Sequence, residues 1–508
     1  MATKTTSAAG RHTKKAATKK AATKKAAKKT AATKKAAIKK PTSKRATTDK
    51  AVKKTATKKA AKKASAASSS GGRKVGIRVR MYRVGFGDFF LLTVPGNDGP
   101  AHILIDCGVH AANIGSMDAC VQDLKKVTGG KLALVIVTHY HADHLSGFAS
   151  NYDDFAKFAH VGAVWITNRL DPKDERTAAF NAKLDSVARQ LEIGLAARGD
   201  DRASNEARAK VENALGAAGG GNAKALKLLQ GGFECKPKVF YYQGGDTPFL
   251  PPELEGAIEA QILAPSPKDS GGEFSASDNK TEQYLAAAAD ANDSDRQPWS
   301  PFEKDWPASA SDYPAVAFQD YAIGREEPWK HMESVLGALQ PDALAATADK
   351  LDGTLNNQSL VVLFTVKKKK LLFVGDAQWG NWAYWLYGRK VTGKDPGISE
   401  EAKEILGSID FYKVGHHGST NATPIPAVAA MNHSCAAMCS TAVGAYGNPA
   451  KKTEVPRTAL LDALSTQLGD RMVRSDWVAA NGEAPDDSAR DLPSGFSTPG
   501  ELYIDFEL

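Results

Sequence analysis

The chain has 508 residues, 42% of them hydrophobic and 24% charged, with a formal net charge of +10, and its length holds one large or two ordinary domains. Its five cysteines (Cys107, Cys120, Cys235, Cys435 and Cys439) are few, odd in number and unpatterned, which argues against a disulfide framework and for a reducing compartment. There is neither an apolar run of about 18 residues nor an apolar N-terminal core, so no membrane span and no secretory signal is expected.

The net charge conceals a split. Residues 1–72 carry 23 Lys and Arg against the single acid Asp49, which leaves 44 basic and 56 acidic side chains in the remainder. The basic segment repeats units such as Thr13-Lys14-Lys15-Ala16-Ala17, followed by copies bearing Lys19-Lys20 and Lys24-Lys25. With almost nothing to bury, it cannot offset chain entropy and is expected to be disordered by itself. Serial lysines neutralise phosphates and release counterions without reading sequence, so the expected partner is nucleic acid, bound non-specifically. Other polyanions, or a purely solubilising role, are the alternatives. The segment resembles the Lys/Ala-rich tails of linker histones and of some bacterial nucleoid proteins. Ser68 to Gly72 reads as a flexible hinge into the folded part.

Beyond the hinge, Lys74 to Val84, Phe89 to Val94 and His102 to Asp106 read as strands, with a turn at Gly85 to Asp88. Leu132 to Val137 is a continuous apolar run, the pattern of a strand buried on both faces. It runs into Thr138-His139-Tyr140-His141-Ala142-Asp143-His144, which crowds four potential metal ligands into a few residues. In a loop leaving a strand, His139 and His141 can point one way and Asp143 and His144 another, giving half-shells for two adjacent cations. Imidazole with carboxylate suits zinc, and also manganese or iron.

Phe148 to Ala159 then reads as a helix and Val161 to Thr167 as a strand, with His160 at its start in a structural role. From about 171 to 235 the chain reads as a helical insertion, with Phe180, Leu184, Val187 and Leu191 at helical spacing. Strands are expected at Lys238 to Tyr242 and Ala257 to Leu263. Residues 266–350 read as a second insertion, with a helix near Trp329 to Leu339 and His331 on it as a surface residue. Ser359 to Val366 and Lys370 to Gly375 form a hairpin that ends at Asp376. Phe411 to Gly418, carrying His416 and His417, follows a short helix; Ala436 to Val443 is a strand, Arg457 to Leu464 a helix and Leu502 to Leu508 a closing strand. Cys435 and Cys439 have the spacing of a metal pair but no second pair nearby, and read as small core residues.

HxHxDH after an apolar strand resembles the signature of the metallo-β-lactamase superfamily of hydrolases. VGFGDFFLL with ILIDCG, the Gly-Asp at 375–376, and FYKVGHHG with Ser419 and Thr420 resemble one branch of it, the hydrolase domain of competence (DNA-uptake) channel proteins and its stand-alone relatives. The resemblance covers 74–170, 236–265 and 355–508. It implies an α/β fold, the metallo-β-lactamase αββα sandwich with helical insertions, over residues 73–508, after a disordered tail at 1–72. It further implies two zinc sites, with His139, His141, Asp143, His144 and Asp376 as ligands and Asp376 bridging. One of His416 and His417 closes the second shell, with a preference for His416; the other contacts a phosphate or protonates the leaving oxygen. Asp106 supports the metal loop by hydrogen bonds, and Asp88 does the same or is a simple turn carboxylate.

Three departures stand out. Phe86 replaces a Gln usual in that branch. Asn448 stands where relatives often have a histidine before proline. Counting back from Asp376, Asn356 with Ser359 nearby takes the place of a further histidine, which weakens the first site. The expected function is a metal-dependent hydrolase, a phosphodiesterase acting on nucleic acid through metal-activated hydroxide, cytoplasmic and nucleoid-associated. One alternative is a hydrolase of a small phosphodiester, ester or lactam, tethered to the nucleoid by its tail. The other is a non-catalytic DNA-binding protein with a vestigial metal site.

Overall fold

A computed structural model gives the fold and describes residues 76–196, 202–215, 221–267, 282–284, 341–388, 397–477, 492–498 and 501–508. The chain divides into two units, 1–71 and 72–508, and every described residue lies in the second. The lysine-rich tail, the helix expected near 329–339 and His331 lie outside the described residues.

The described strands are β1 (Arg78–Tyr82), β2 (Phe89–Gly96), β3 (Gly99–Cys107), β4 (Lys131–Val137), β5 (His160–Thr167), β6 (Lys238–Tyr242), β7 (Glu259–Ala264), β8 (Val361–Val366), β9 (Lys369–Phe373), β10 (Phe411–Lys413), β11 (Ala436–Cys439), β12 (Met472–Arg474), β13 (Phe496–Ser497) and β14 (Tyr503–Glu507). The helices are α1 (Met117–Thr128), α2 (Ala142–Ser150), α3 (Tyr152–Ala156), α4 (Glu175–Ala196), α5 (Arg202–Leu215), α6 (Gly221–Lys227), α7 (Pro341–Asn356), α8 (Trp379–Leu386), α9 (Glu400–Ser408), α10 (Ile425–Ala430) and α11 (Thr458–Leu468). One sheet runs β13-β14-β1-β2-β3-β4-β5-β6 and the other β12-β11-β10-β9-β8-β7. In the first, β3 to β6 are parallel; in the second, β9 to β12 are parallel.

The two sheets face each other across one core. Met81, Phe90, Ile105, Ile136 and Trp165 of the larger sheet pack with Val362, Phe364, Phe373, Phe411 and Met438 of the smaller. Leu132, Val135 and Val137 point the other way, onto Val121, Leu124, Phe148 and Phe155 of α1 to α3. Both faces of β4 are therefore covered, which is why its sequence shows no polar alternation. On the far side of the smaller sheet, Leu363, Leu372 and Tyr412 pack under Trp382, Leu406, Val428 and Leu464. The result is the αββα sandwich that the motifs implied. Cys435 and Cys439 are buried in that outer layer, and the five cysteines are free.

The helical insertion and α7 together form a further layer with its own core. Phe180, Leu184 and Leu191 of α4, Val211 of α5, and Leu344, Leu351 and Leu355 of α7 bury one another. Of the second insertion, residues 266–267, 282–284 and the start of α7 are described.

Several expectations need correction. The helix expected from Phe148 begins instead at Ala142, so Asp143 and His144 belong to its first turn, not to a loop; it breaks at Asn151 and gives way to α3. The strand expected from Ala436 to Val443 stops at Cys439, and β10 is only three residues long. His160 sits at the start of β5, paired with Glu253. No helix of the described residues is long and apolar enough to cross a membrane.

Candidate metal centre

Four chain segments meet at the exits of β3, β4, β9 and β10. Gly375, after β9, has φ +55°, and a Cβ there would lie 2.7 Å from the Cβ of Thr138. Glycine thus supplies both the left-handed conformation and the close approach that set Asp376 beside the β4 exit. Asp106, just inside the end of β3, also has positive φ, 54°.

Asp106 organises the metal loop. Its Oδ1 accepts the Thr138 backbone N–H at 2.8 Å, and its Oδ2 accepts the Thr138 hydroxyl at 2.7 Å and His144 Nδ1 at 2.8 Å. With its proton on Nδ1, His144 turns Nε2 inward, 3.1 Å from Asp376 Oδ2 and 3.8 Å from Asp143 Oδ1. His417 repeats the device: Nδ1 donates to the Ser440 carbonyl at 2.8 Å, and Nε2 lies 3.0 Å from Asp143 Oδ2 and 3.3 Å from Asp376 Oδ2. The Thr138 hydroxyl, already donating to Asp106, accepts from His139 Nδ1 at 3.1 Å, so His139 Nε2 is left as a lone pair facing His141 Nδ1 at 3.1 Å. Fixing one ring nitrogen by a hydrogen bond so that the other presents its lone pair is how metal-ligating histidines are oriented.

Three groups of ligand atoms result among the described residues, one of them Asp88, Asp106 and His144, in which Asp106 and Asp88 are already taken up by Thr138, His144 and Lys413. Asp143, His144, Asp376 and His417 form the second, and His139, His141 and Asp143 the third; all of these side chains are buried, and Asp143 is common to the last two. Asp143 Oδ1, His144 Nε2 and Asp376 Oδ2 are buried without any hydrogen-bond partner. Buried polar atoms are normally satisfied, so orphaned nitrogen and carboxylate oxygens that converge fit a cation held between them. The electrostatics agree. Burial works against charge on His144 and His417, yet the neighbouring Asp376 and Asp143 carboxylates hold both imidazoles protonated well above the usual range, His417 to about 10. Burial likewise disfavours charge on Asp143 and Asp376, but His144 and His417 pull both carboxyls well below the usual range. Burial, then the charge on His144 and His141, pushes His139 down, and burial does the same to His141.

The preference for His416 as ligand is reversed by this geometry. Both histidines have left-handed backbones, φ 40° and 52°, and their ring planes are tilted 57° to one another. His417 enters the ligand group, whereas His416 faces a cavity, with Nδ1 2.6 Å from the Ser419 hydroxyl and Nε2 3.2 Å from Asn356 Nδ2. The backbone N–H of His416 still serves the centre by donating to Asp376 Oδ1 at 3.1 Å. Ser359 accepts the Asp376 backbone N–H at 3.1 Å. Asn356 is fully buried at the end of α7, with its amide nitrogen on His416 and Asp352. Phe86, the replacement for Gln, packs its ring against that of His417, centroids 4.2 Å apart and planes tilted by 46°.

Three contributors were missed from sequence. Lys413, buried at the end of β10, pairs with Asp88, lies 3.4 Å from Asp376 Oδ1 and donates to the Gly375 carbonyl at 2.8 Å. Asp88 is thus half of a buried ion pair and not a plain turn carboxylate. A lone Lys inside FYKV, otherwise a buried strand, was the available signal. Asn213 comes from α5 of the helical insertion and Asp352 from α7, and neither carries a local signal. The cavity beside the centre has a volume of about 710 Å³ and is walled by Asp143, His416, Ser419 and Tyr446 on the sandwich side, by Lys210 from the helical insertion and by Asp352 from α7.

The family model of the metallo-β-lactamase superfamily matches residues 83–150, the stretch that carries Asp88, Asp106 and the HxHxDH loop. No curated protein matches the chain.

Proposed function

We propose that this chain is a metal-dependent hydrolase of phosphodiesters, nearest in its motifs to the competence-channel branch, and that its basic tail brings it to nucleic acid on the nucleoid. The observation that carries the reading is the convergence of orphaned ligand atoms of Asp143, His144 and Asp376 beside an open cavity. Asp143, His144, Asp376 and His417 would hold one cation and His139, His141 and Asp143 the other, with zinc the favoured metal and manganese or iron compatible. When bound, such cations supply Lewis acidity to a phosphoryl oxygen and lower the pKa of a water.

The chain's own residues do the rest. Asp143 and Asp376 orient the attacking water, while the Lys413 ammonium and the His416 backbone N–H hold the outer oxygen of Asp376 in place. His416, on the cavity wall and braced by Ser419 and Asn356, is the group in position to give a proton to the leaving oxygen. Ser419 and Asn421 line the same wall and offer hydrogen bonds to non-bridging oxygens.

The test compares wild type with Asp143→Ala on a chromogenic phosphodiester and on single- and double-stranded DNA and RNA, with bound metal counted in both proteins. The expected result is metal-dependent cleavage that falls at least a hundredfold in the variant together with its metal content. Undiminished cleavage by Asp143→Ala would overturn the reading. The volume of the cavity, within the range of small-ligand pockets, favours a second reading in which the substrate is a small phosphodiester, ester or lactam. Turnover of the chromogenic diester with no cleavage of any polymer would select it.

A further inference from the structure

The helical layer of α5, α6 and α7 reaches the metal loop through three side chains. Asn213 of α5 accepts the backbone N–H of Asp143 at 3.0 Å. Asn222 of α6 donates to the Tyr140 carbonyl at 3.1 Å, and its amide is tied back to Asn213 and Ala214. Asp352 of α7 places its Oδ1 3.9 Å from His141 Nε2, while its Oδ2 accepts from Asn356 at 3.0 Å.

His141 is the loop histidine whose second nitrogen is left open. Its Nδ1 faces His139 Nε2 at 3.1 Å, a separation suited to two ligands of one tetrahedral ion, and its Nε2 is buried with no hydrogen-bond partner. Neutral imidazole has one proton. Nδ1 can offer a lone pair only if that proton sits on Nε2, and a buried N–H there requires an acceptor. His144 meets this requirement with Asp106, His417 with Ser440 and His139 with Thr138.

We propose that Asp352 is the positioning residue for the His139–His141 cation site: it takes the His141 Nε2–H and so fixes the tautomer and ring orientation that present Nδ1 to the metal. The inference rests on the metal-centre reading above. Asn356, at the position of the expected third histidine, donates its amide N–H to Asp352 Oδ2, which steadies the Asp352 carboxylate. α7 is then the outer wall of the metal site, and occupancy of that site depends on how α7 is seated against α4 and α5.

The test titrates Co²⁺ into metal-stripped, full-length wild type, Asp352→Asn and Asp352→Ala, following visible absorption and bound metal. Wild type should take up two equivalents. In Asp352→Ala one of them should weaken about 10- to 100-fold while the other keeps its affinity. Asp352→Asn, which keeps an acceptor oxygen, should lose less. In the Co²⁺-loaded proteins the exchangeable N–H resonance of His141 should be seen in wild type and Asp352→Asn and be lost to solvent exchange in Asp352→Ala, a change that general loosening of α7 would not confine to that histidine. If Asp352→Ala does not fold, a smaller loss of one equivalent in Asp352→Asn decides in favour and unchanged affinity decides against. Two equivalents bound with wild-type affinity by a folded Asp352→Ala would overturn the Asp352 role alone. A wild type that binds no cation would overturn the metal centre and this role with it.

Discussion

Lys413 shows what a single residue contributes to this centre. A buried ammonium is costly unless it is paired, and here burial is outweighed by Asp88 and Asp376, which keep it charged. Removing one partner strands the others, so Lys413→Ala should destabilise the protein by about 3–5 kcal/mol, measurable by urea unfolding. The titrating ligands give a second prediction. His417 is raised to about 10, so in the metal-free protein its stabilising contribution is complete below its unfolded value near 6.5 and is lost as pH rises through about 10. Asp143 and Asp376 are depressed, so their contributions hold above their unfolded values near 4 and fade as pH falls through the lower folded ones. A cation must displace the proton on His417. Apparent metal affinity should therefore rise with pH up to about 10, roughly tenfold per unit for each proton released, as competition with a chelator across a pH series would show. A flat affinity profile would mean that His417 is not displaced by the ion.

Among elements, legibility follows from whether the signal is local. β4 could be read because both of its faces are buried, and the β8–β9 hairpin because two apolar runs flank the Lys367–Lys368 turn, whose φ values are 50° and 77°. The HxHxDH loop was legible as chemistry, but not the fact that Asp143 and His144 already belong to α2; their polarity resembles a loop, and only burial at a metal centre puts such residues on the inner face of a helix. β12 pairs over just three residues, too few for any periodicity, and α8, rich in tryptophan, has no capping side chain to announce it. Asp352 and Asn213 were not legible at all. They reach the loop because α4, α5 and α7 share a core, and that packing joins residues more than a hundred positions apart. Leu351→Ala, which hollows out this shared core, should cost about 2–5 kcal/mol in denaturant unfolding. A loss below about 0.5 kcal/mol would show that the insertion's core is not load-sharing with α7.

At the scale of the whole molecule the charge is divided: 23 basic residues before residue 73, and an acidic excess after it. An acidic body repels the phosphates its site is proposed to cleave, so a basic tail would raise the local concentration of nucleic acid that the body alone would not attract. Deleting residues 1–72 should weaken DNA binding and flatten its dependence on salt, while turnover of a small phosphodiester stays within about twofold of full length; equal DNA affinity at several salt concentrations with and without the tail would dismiss this role. The most direct measurement is metal stoichiometry: full-length protein, stripped of metal and dialysed to equilibrium against Zn²⁺, with zinc counted per chain in wild type and in the His144→Ala, Asp376→Ala double variant. Two equivalents in wild type and a loss of at least one in the variant are predicted, and a wild type that retains no zinc, or a variant that retains both equivalents, would contradict the account.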